Sequence, residues 1–242
     1  RRIQNTPWVA AGTVLAALAA ALASGWLLSE GSRTGFGGMF ILDGYSQFFK
    51  VLITSALALA ALLSVRRSDG EQVRSAEYHA MLLLASTGMM FAASALDLLT
   101  LYLGLELMTL CSYILVGITV EKPASNEAAI KYFLLGSFAS ALLLYGIALT
   151  YGVTGSTDFA AIAGTLDASG LLSNPILLAA IGLSAAGLAF KISAVPFHAW
   201  APDVYQGASA PVAAFLAAAS KAAGIAALGR VCLVAFPSEA RV

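Results

Sequence analysis

The sequence predicts an all-α polytopic membrane protein with seven transmembrane helices, one of them discontinuous. Only 11% of its 242 residues are charged, against roughly 25% in an ordinary soluble domain. Hydrophobic residues make up 60% and the mean hydropathy is +0.85, which leaves too little polar surface to coat a soluble globule of this size. The apolar residues gather into runs of about 20, the length that crosses roughly 30 Å of hydrocarbon, without the period-two alternation of a strand. A net charge of +0 excludes the basic footprint of a nucleic-acid binder. The expected partner is a lipid bilayer.

The first run, Trp8 to Leu28, follows Arg1-Arg2 and contains Ala21-Leu22-Ala23. A secretory signal peptide is therefore its rival reading; the missing start Met and the continuation to Leu28 favour a span. For the same reason the chain is expected to be an excerpt of a longer protein, a single membrane domain over 1–242. The second and third runs are Phe48 to Val65, with Lys50 close by, and Tyr78 to Leu96. Lys50 is expected to snorkel to the interface.

The fourth run, Leu98 to Thr119, carries Glu106, roughly 12 Å deep at 1.5 Å per residue. Helical spacing sets Tyr102, Thr109 and Tyr113 on the same face. The fifth, Ala128 to Gly152, holds Lys131, which has an i,i+4 pair with Glu127 as its structural alternative. The sixth, Pro175 to His198, is the discontinuous one. Pro196 lacks an N–H, clashes with the carbonyl of Ile192 and drives Val195 extended, so a break is expected near 192–196, at Ser193 and Pro196. Lys191 then sits in the last turn of a half-helix, beside unpaired carbonyls that favour a cation. The seventh, Ser209 to Ala235, has Ser209 as N-cap and Pro211 in its first turn. Lys221 lies about 18 Å along it, with Ala214, Ala217, Ala218 and Gly224 as a small-residue face for close helix approach. Arg230, near its end, is expected to snorkel.

Lys and Arg in short loops set the orientation. An N-terminus inside places Arg1, Arg2, Arg66, Arg67, Arg74 and Lys122 on one side and only Arg33 and Arg241 on the other, so the N-terminus is expected to be cytoplasmic. The connections from Glu30 to Gln47 and from Val153 to Asn174 read as solvated loops on the far side.

Glu106, Lys191 and Lys221 are charges that lipid should exclude, each costing about 2.5 to 3.5 kcal/mol at a helix centre on insertion scales. Their structural alternatives are a carboxylate that pins two helices, a lysine that snorkels from a plain proline kink, and a packing lysine. Taken together, three titratable groups of opposite sign on three helices suggest a proton relay, in which the charge state of one group sets the proton affinity of the next. His198, just past the break, and Lys131 are accessory candidates. The sequence shows no phosphate loop, haem-spaced His pair, nucleophile elbow or metal cluster. Cys111 and Cys232 lie in apolar runs and read as small buried hydrophobes. No metal or cofactor site is expected on this chain.

The run Phe190 to Val212, "FKISAVPFHAWAPDVYQGASAPV", followed by "FLAAASKAAG" around Lys221, closely resembles the antiporter-like N subunit of proton-pumping NADH:quinone oxidoreductase (complex I) and its photosynthetic relative. "YLGLELMTLCSYILVG" around Glu106 and "NEAAIKYFLLGSFASALLLYGIALTYG" from Asn126 support it, and the resemblance extends from about Asp43 to Leu233. It implies a Glu–Lys pair at Glu106 and Lys191, a second lysine at Lys221 on the same polar axis, and one whole repeat of an inverted-repeat antiporter-like fold. Ser209 stands where that family usually has proline. The resemblance further implies a proton-translocating subunit of a redox-driven complex in an energy-converting membrane, bacterial plasma membrane by expectation. Other membrane subunits are its expected partners, and NADH, flavin, iron–sulfur clusters and quinone are expected on those other subunits. A subunit of a multi-subunit cation/proton antiporter and a structural membrane anchor are the alternatives.

Overall fold

The computed structural model describes residues 7–65, 75–169 and 173–235. In chain order the elements are α1 (Pro7–Leu27), a hairpin of β1 (Arg33–Gly35) and β2 (Phe40–Leu42), α2 (Gly44–Val65), α3 (Ser75–Ser94), α4 (Leu98–Val116), α5 (Pro123–Thr154), α6 (Phe159–Ser169), α7 (Pro175–Ile192), α8 (Trp200–Gly207) and α9 (Ala210–Ala235). Arg1, Arg2, Arg66, Arg67, Arg74 and Arg241, on which most of the expected orientation rests, lie outside the described residues.

Six helices, α1, α2, α4, α5, α7 and α9, are long and apolar enough to cross a membrane. The seventh expected span falls on α3, which has 20 residues but is diluted by Glu77, Tyr78, His79, Ser86 and Thr87. It can carry them because it is enclosed by α2, α4 and α9: Tyr78, His79, Leu82, Ser86, Met89 and Ser94 are at most 3% exposed. Gly88 and Gly104 bring α3 and α4 together at backbone distance; a Cβ on Gly88 would sit 2.6 Å from the Gly104 carbonyl oxygen. Large apolar side chains such as Trp8, Leu22 and Trp26 on α1, and Phe138 and Tyr145 on α5, point outward. This is the inversion a lipid-facing surface allows.

The two connections expected as solvated loops are built instead. The Met39 carbonyl accepts from the Leu96 N–H, so the hairpin ties onto the turn between α3 and α4. On the other side the Leu98 N–H donates to Thr157 O and the Phe159 N–H to Leu96 O. Between them Asp97 caps α4, accepting from the N–H groups of Leu99 and Thr100 at 2.8 and 3.0 Å and from the Thr157 hydroxyl at 2.5 Å. That cap meets the orphan donors of the first turn, which is how two helices join across so short a turn. Phe159, Ile162 and Leu166 then bury one face of α6, against the end of α9.

α9 contains two π segments, Leu216–Ser220 and Val231–Ala235. A π turn holds more residues per turn than an α turn and rotates the face beyond it. The expected small-residue face is split across the first of them: Gly224, beyond it, is buried against Ile192 of α7, while Ala214, Ala217 and Ala218, before or within it, are exposed. Ser209 is extended ahead of Ala210, but its hydroxyl makes no cap bond. Cys111 is buried and Cys232, on the second π segment, is exposed.

Candidate functional site

α7 stops at Ile192 because Ser193 turns left-handed, with φ 57° and ψ 38°. The Ser193 N–H donates to Phe190 O at 3.0 Å and the Ala194 N–H to Ala189 O at 2.9 Å, the paired bonds of a Schellman end. The Val195–Pro196 peptide that follows is cis. The break therefore falls where Ser193 and Pro196 lead one to expect it, with Ser193 setting its geometry.

The break sends the two parts of Lys191 in different directions. The side chain runs inward and is 4% exposed, so it does not snorkel. Its ammonium donates to Thr109 Oγ1 at 2.7 Å and Ser140 Oγ at 3.1 Å, and lies 3.3 Å from Glu106 Oε1. The Ser140 hydroxyl in turn donates to Glu106 Oε1 at 2.5 Å. Three helices thus converge on one ion pair: α4 brings Glu106 and Thr109, one turn apart on one face, α5 brings Ser140, and α7 brings Lys191. At 3.3 Å and an effective dielectric near 20 the gross attraction is about 5 kcal/mol, and the two hydroxyls offset part of the desolvation that burial imposes.

The free carbonyls at the end of α7 do attract a cation, but it is Lys221, not Lys191. Lys221 donates to the Lys191 carbonyl at 3.3 Å and to the Ser193 hydroxyl at 2.6 Å. Its ammonium lies 4.2 Å from the centroid of the Trp200 ring. Trp200 is fixed by its Nε1 bond to Phe190 O at 3.1 Å and stacks on Tyr132 with centroids 4.6 Å apart. Tyr132 meets Tyr113 edge-on. Among the described residues no carboxylate lies within ion-pair distance of Lys221; carbonyl, hydroxyl and π face hold it. Lys191 therefore belongs to both sites: its side chain joins the pair with Glu106 and its carbonyl holds Lys221.

Glu106, Lys191 and Lys221 are brought together, and the accessory candidates are not. Lys131 is half-exposed and bridges Glu127 at 2.7 Å and Asp203 of α8 at 2.8 Å. His198 lies on the exposed side of the break. Sequence reasoning missed Ser140 and Trp200. The only signal for Ser140 was a hydroxyl in an apolar span, and that for Trp200 was an indole beside the proline break.

It also misread Lys50 and Arg230, which do not snorkel: they are 7% and 5% exposed. Arg230 grips Asp43 through two contacts of 2.7 and 2.8 Å, donates to Ala93 O at 3.2 Å and lies over the Tyr45 ring. Phe40 of the hairpin covers Lys50 and the end of α3 covers Arg230. Burial pushes the Asp43 carboxyl up, but hydrogen bonds from Arg230 and Ser46, with the Arg230 charge, outweigh it and hold the group at about 2. No group of three or more His, Cys, Asp or Glu able to hold a metal occurs among the described residues.

Residues 95–241 match the family described as NADH:quinone oxidoreductase/Mrp antiporter, TM. NADH-quinone oxidoreductase subunit N of Desulfovibrio desulfuricans is 46% identical over 234 residues, covering 95% of this chain and 46% of that protein. Subunit N of Desulfitobacterium hafniense is 49% identical over 200 residues, covering 83% and 40%. Among solved structures, a chain of respiratory complex I from Thermus thermophilus with bound aureothin superposes with a TM-score of 0.78 at 36% identity, covering 97% of this chain and 49% of that one. A chain of the Mrp complex from a Dietzia species gives 0.77 at 26% identity, covering 95% and 43%. The chain thus spans about half the length of these relatives. Its helical architecture, its match across the break at 192–196 and its likeness to antiporter-like subunits agree: the chain belongs to the NADH:quinone oxidoreductase/Mrp antiporter transmembrane family.

Proposed function

We propose that this chain is part of a proton-translocating membrane subunit of a redox-driven NADH:quinone oxidoreductase complex, and that Glu106, Lys191 and Lys221 carry the proton. The observation behind this reading is the pair of lysines sharing the α7 break. Glu106 pairs with the Lys191 ammonium at 3.3 Å. Drawing Glu106 and Ser140 away would leave that charge on the Thr109 hydroxyl alone and release its proton. Lys221 is bound by acceptors that carry no full negative charge, and in this reading it takes the proton next. A shift of the break moves the Lys191 side chain and the carbonyl that holds Lys221 together, which couples the two sites mechanically.

In this reading the chain transfers no electrons. Electron donor, flavin, iron–sulfur clusters and quinone belong to other subunits, which are its partners in an energy-converting membrane, the bacterial plasma membrane, with the N-terminal side of the chain cytoplasmic. The test is to neutralise Lys191 or Glu106 in the full-length protein within its complex and to measure redox-linked proton translocation. Unchanged translocation would sink the relay and leave a structural anchor. The likeness to the Mrp complex favours a second reading, a subunit of a multi-subunit cation/proton antiporter. Sodium-dependent transport without redox turnover would select it.

A further inference from the structure

A second buried polar group, at the hairpin end of the bundle, has no part in the relay. Lys50 projects from α2, and its ammonium lies 4.9 Å from the Phe40 ring centroid. Among the described residues it has no hydrogen-bond partner. The charged groups facing it are Asp43 and Arg230, with the Tyr45 hydroxyl as the further titratable group beside Arg230; α1, packed along α2, carries no charge. Asp43 is already gripped at two points by Arg230, so two cations face one carboxylate.

Gln47, one turn before Lys50 on the same face, is 1% exposed, and neither of its amide atoms has a partner among the described residues. The Ser94 hydroxyl and Arg230 Nε are likewise buried and without a partner among the described residues. Each such atom costs roughly 1 to 3 kcal/mol, and a buried amide kept at that cost calls for a reason. A purely structural cluster would give Lys50 its own carboxylate or replace Gln47 with leucine. The π segments of α9 point the same way, since such turns recur at functional positions. One ends directly before Lys221 and the other begins directly after Arg230.

We propose that Asp43, Gln47, Lys50, Ser94 and Arg230 form a second proton-binding site, in which Lys50 gives its proton to water (–NH3+ and H2O becoming –NH2 and H3O+) while the Asp43–Arg230 pair keeps its charge. Water reaches Lys50 through the amide of Gln47, whose donor and acceptor are both free to meet it. This rests on the relay reading only for the source of the proton, since Lys221 lies nine residues before Arg230 on α9, about 13 Å along the axis.

The experiment uses the full-length protein in its complex, reconstituted in vesicles. Lys50→Met removes the titrating group, whereas Lys50→Arg keeps a charge that does not titrate. Both variants are expected to assemble and to lose most of their redox-linked proton movement; native proton movement by Lys50→Arg overturns the proposal. Should the Lys50 variants fail to assemble, Gln47→Leu, which changes no charge, decides: slowed movement with a displaced pH profile supports the site, and an unaltered profile overturns it. Lys191→Met, measured alongside, separates the two readings. Native movement there sinks the relay, whereas loss there with native movement in Lys50→Arg sinks only the second site.

Discussion

Replacing Ser140 by alanine tests whether the buried pair is organised by its hydroxyl. Ser140 donates to Glu106 at 2.5 Å and accepts from Lys191 at 3.1 Å, so the change removes one hydrogen bond from each ion. A hydrogen bond to a charged group is worth about 1.5 to 3 kcal/mol net. The bond to Glu106 is the shorter and has no local substitute, while Lys191 keeps Thr109 at 2.7 Å. The expected loss is therefore that of one charged bond, about 1.5 to 3 kcal/mol, read as a lowered melting temperature. The assay is thermal unfolding of the purified full-length protein, with Ser140→Thr as the variant that keeps the hydroxyl and melts near the native temperature. A Ser140→Ala protein that melts at the native temperature would refute the reasoning, because the pair would then be held without its bridge.

Three further outcomes follow from the geometry. The Asp43 carboxyl sits at about 2 against an ordinary 3.8, so it stabilises the fold above pH 3.8 and that contribution fades as the pH falls from 3.8 towards 2. After discounting for solvent screening the effect is on the order of 1 to 2 kcal/mol, and Asp43→Asn should flatten the acid limb of a melting-temperature profile. Trp200→Leu removes the ring face under Lys221 and the bond to Phe190 O, an expected loss of about 3 kcal/mol. Trp200→Phe should lose less, and equal melting of the two would show that the π face does not matter. Lys131→Ala should leave the melting temperature unchanged, since both of its bridges are at the surface; a marked drop would give those bridges a role the exposure does not support.

The membrane class was legible in the sequence because charge is scarce, and the same scarcity singled out Glu106, Lys191 and Lys221, which the fold brings together. The break was legible because proline at 196 cannot continue a helix. What sequence could not fix was direction. Nothing in the order of residues says that the α7 carbonyls would be met by Lys221 from another helix while Lys191 turned inward. Nor does a run of alanines announce the π segment that sets Gly224 off the face of Ala214, Ala217 and Ala218. Lys50 and Arg230 were misread for a related reason. Distance from a span end measures access to the interface only when nothing covers that end, and here the hairpin and Asp43 do. Ser140 stayed hidden because a single hydroxyl is unremarkable until two ions are placed beside it.

The central claim is that Lys191 works by gaining and losing a proton. The direct measurement is the number of protons moved per redox turnover by the assembled complex carrying Lys191→Met or Lys191→Arg. The first variant lacks the titrating group and the second keeps a charge beside Glu106 that does not titrate. The account predicts that both lose proton movement even where Lys191→Arg assembles normally. Native proton movement by Lys191→Arg would contradict it, because a fixed charge would then suffice.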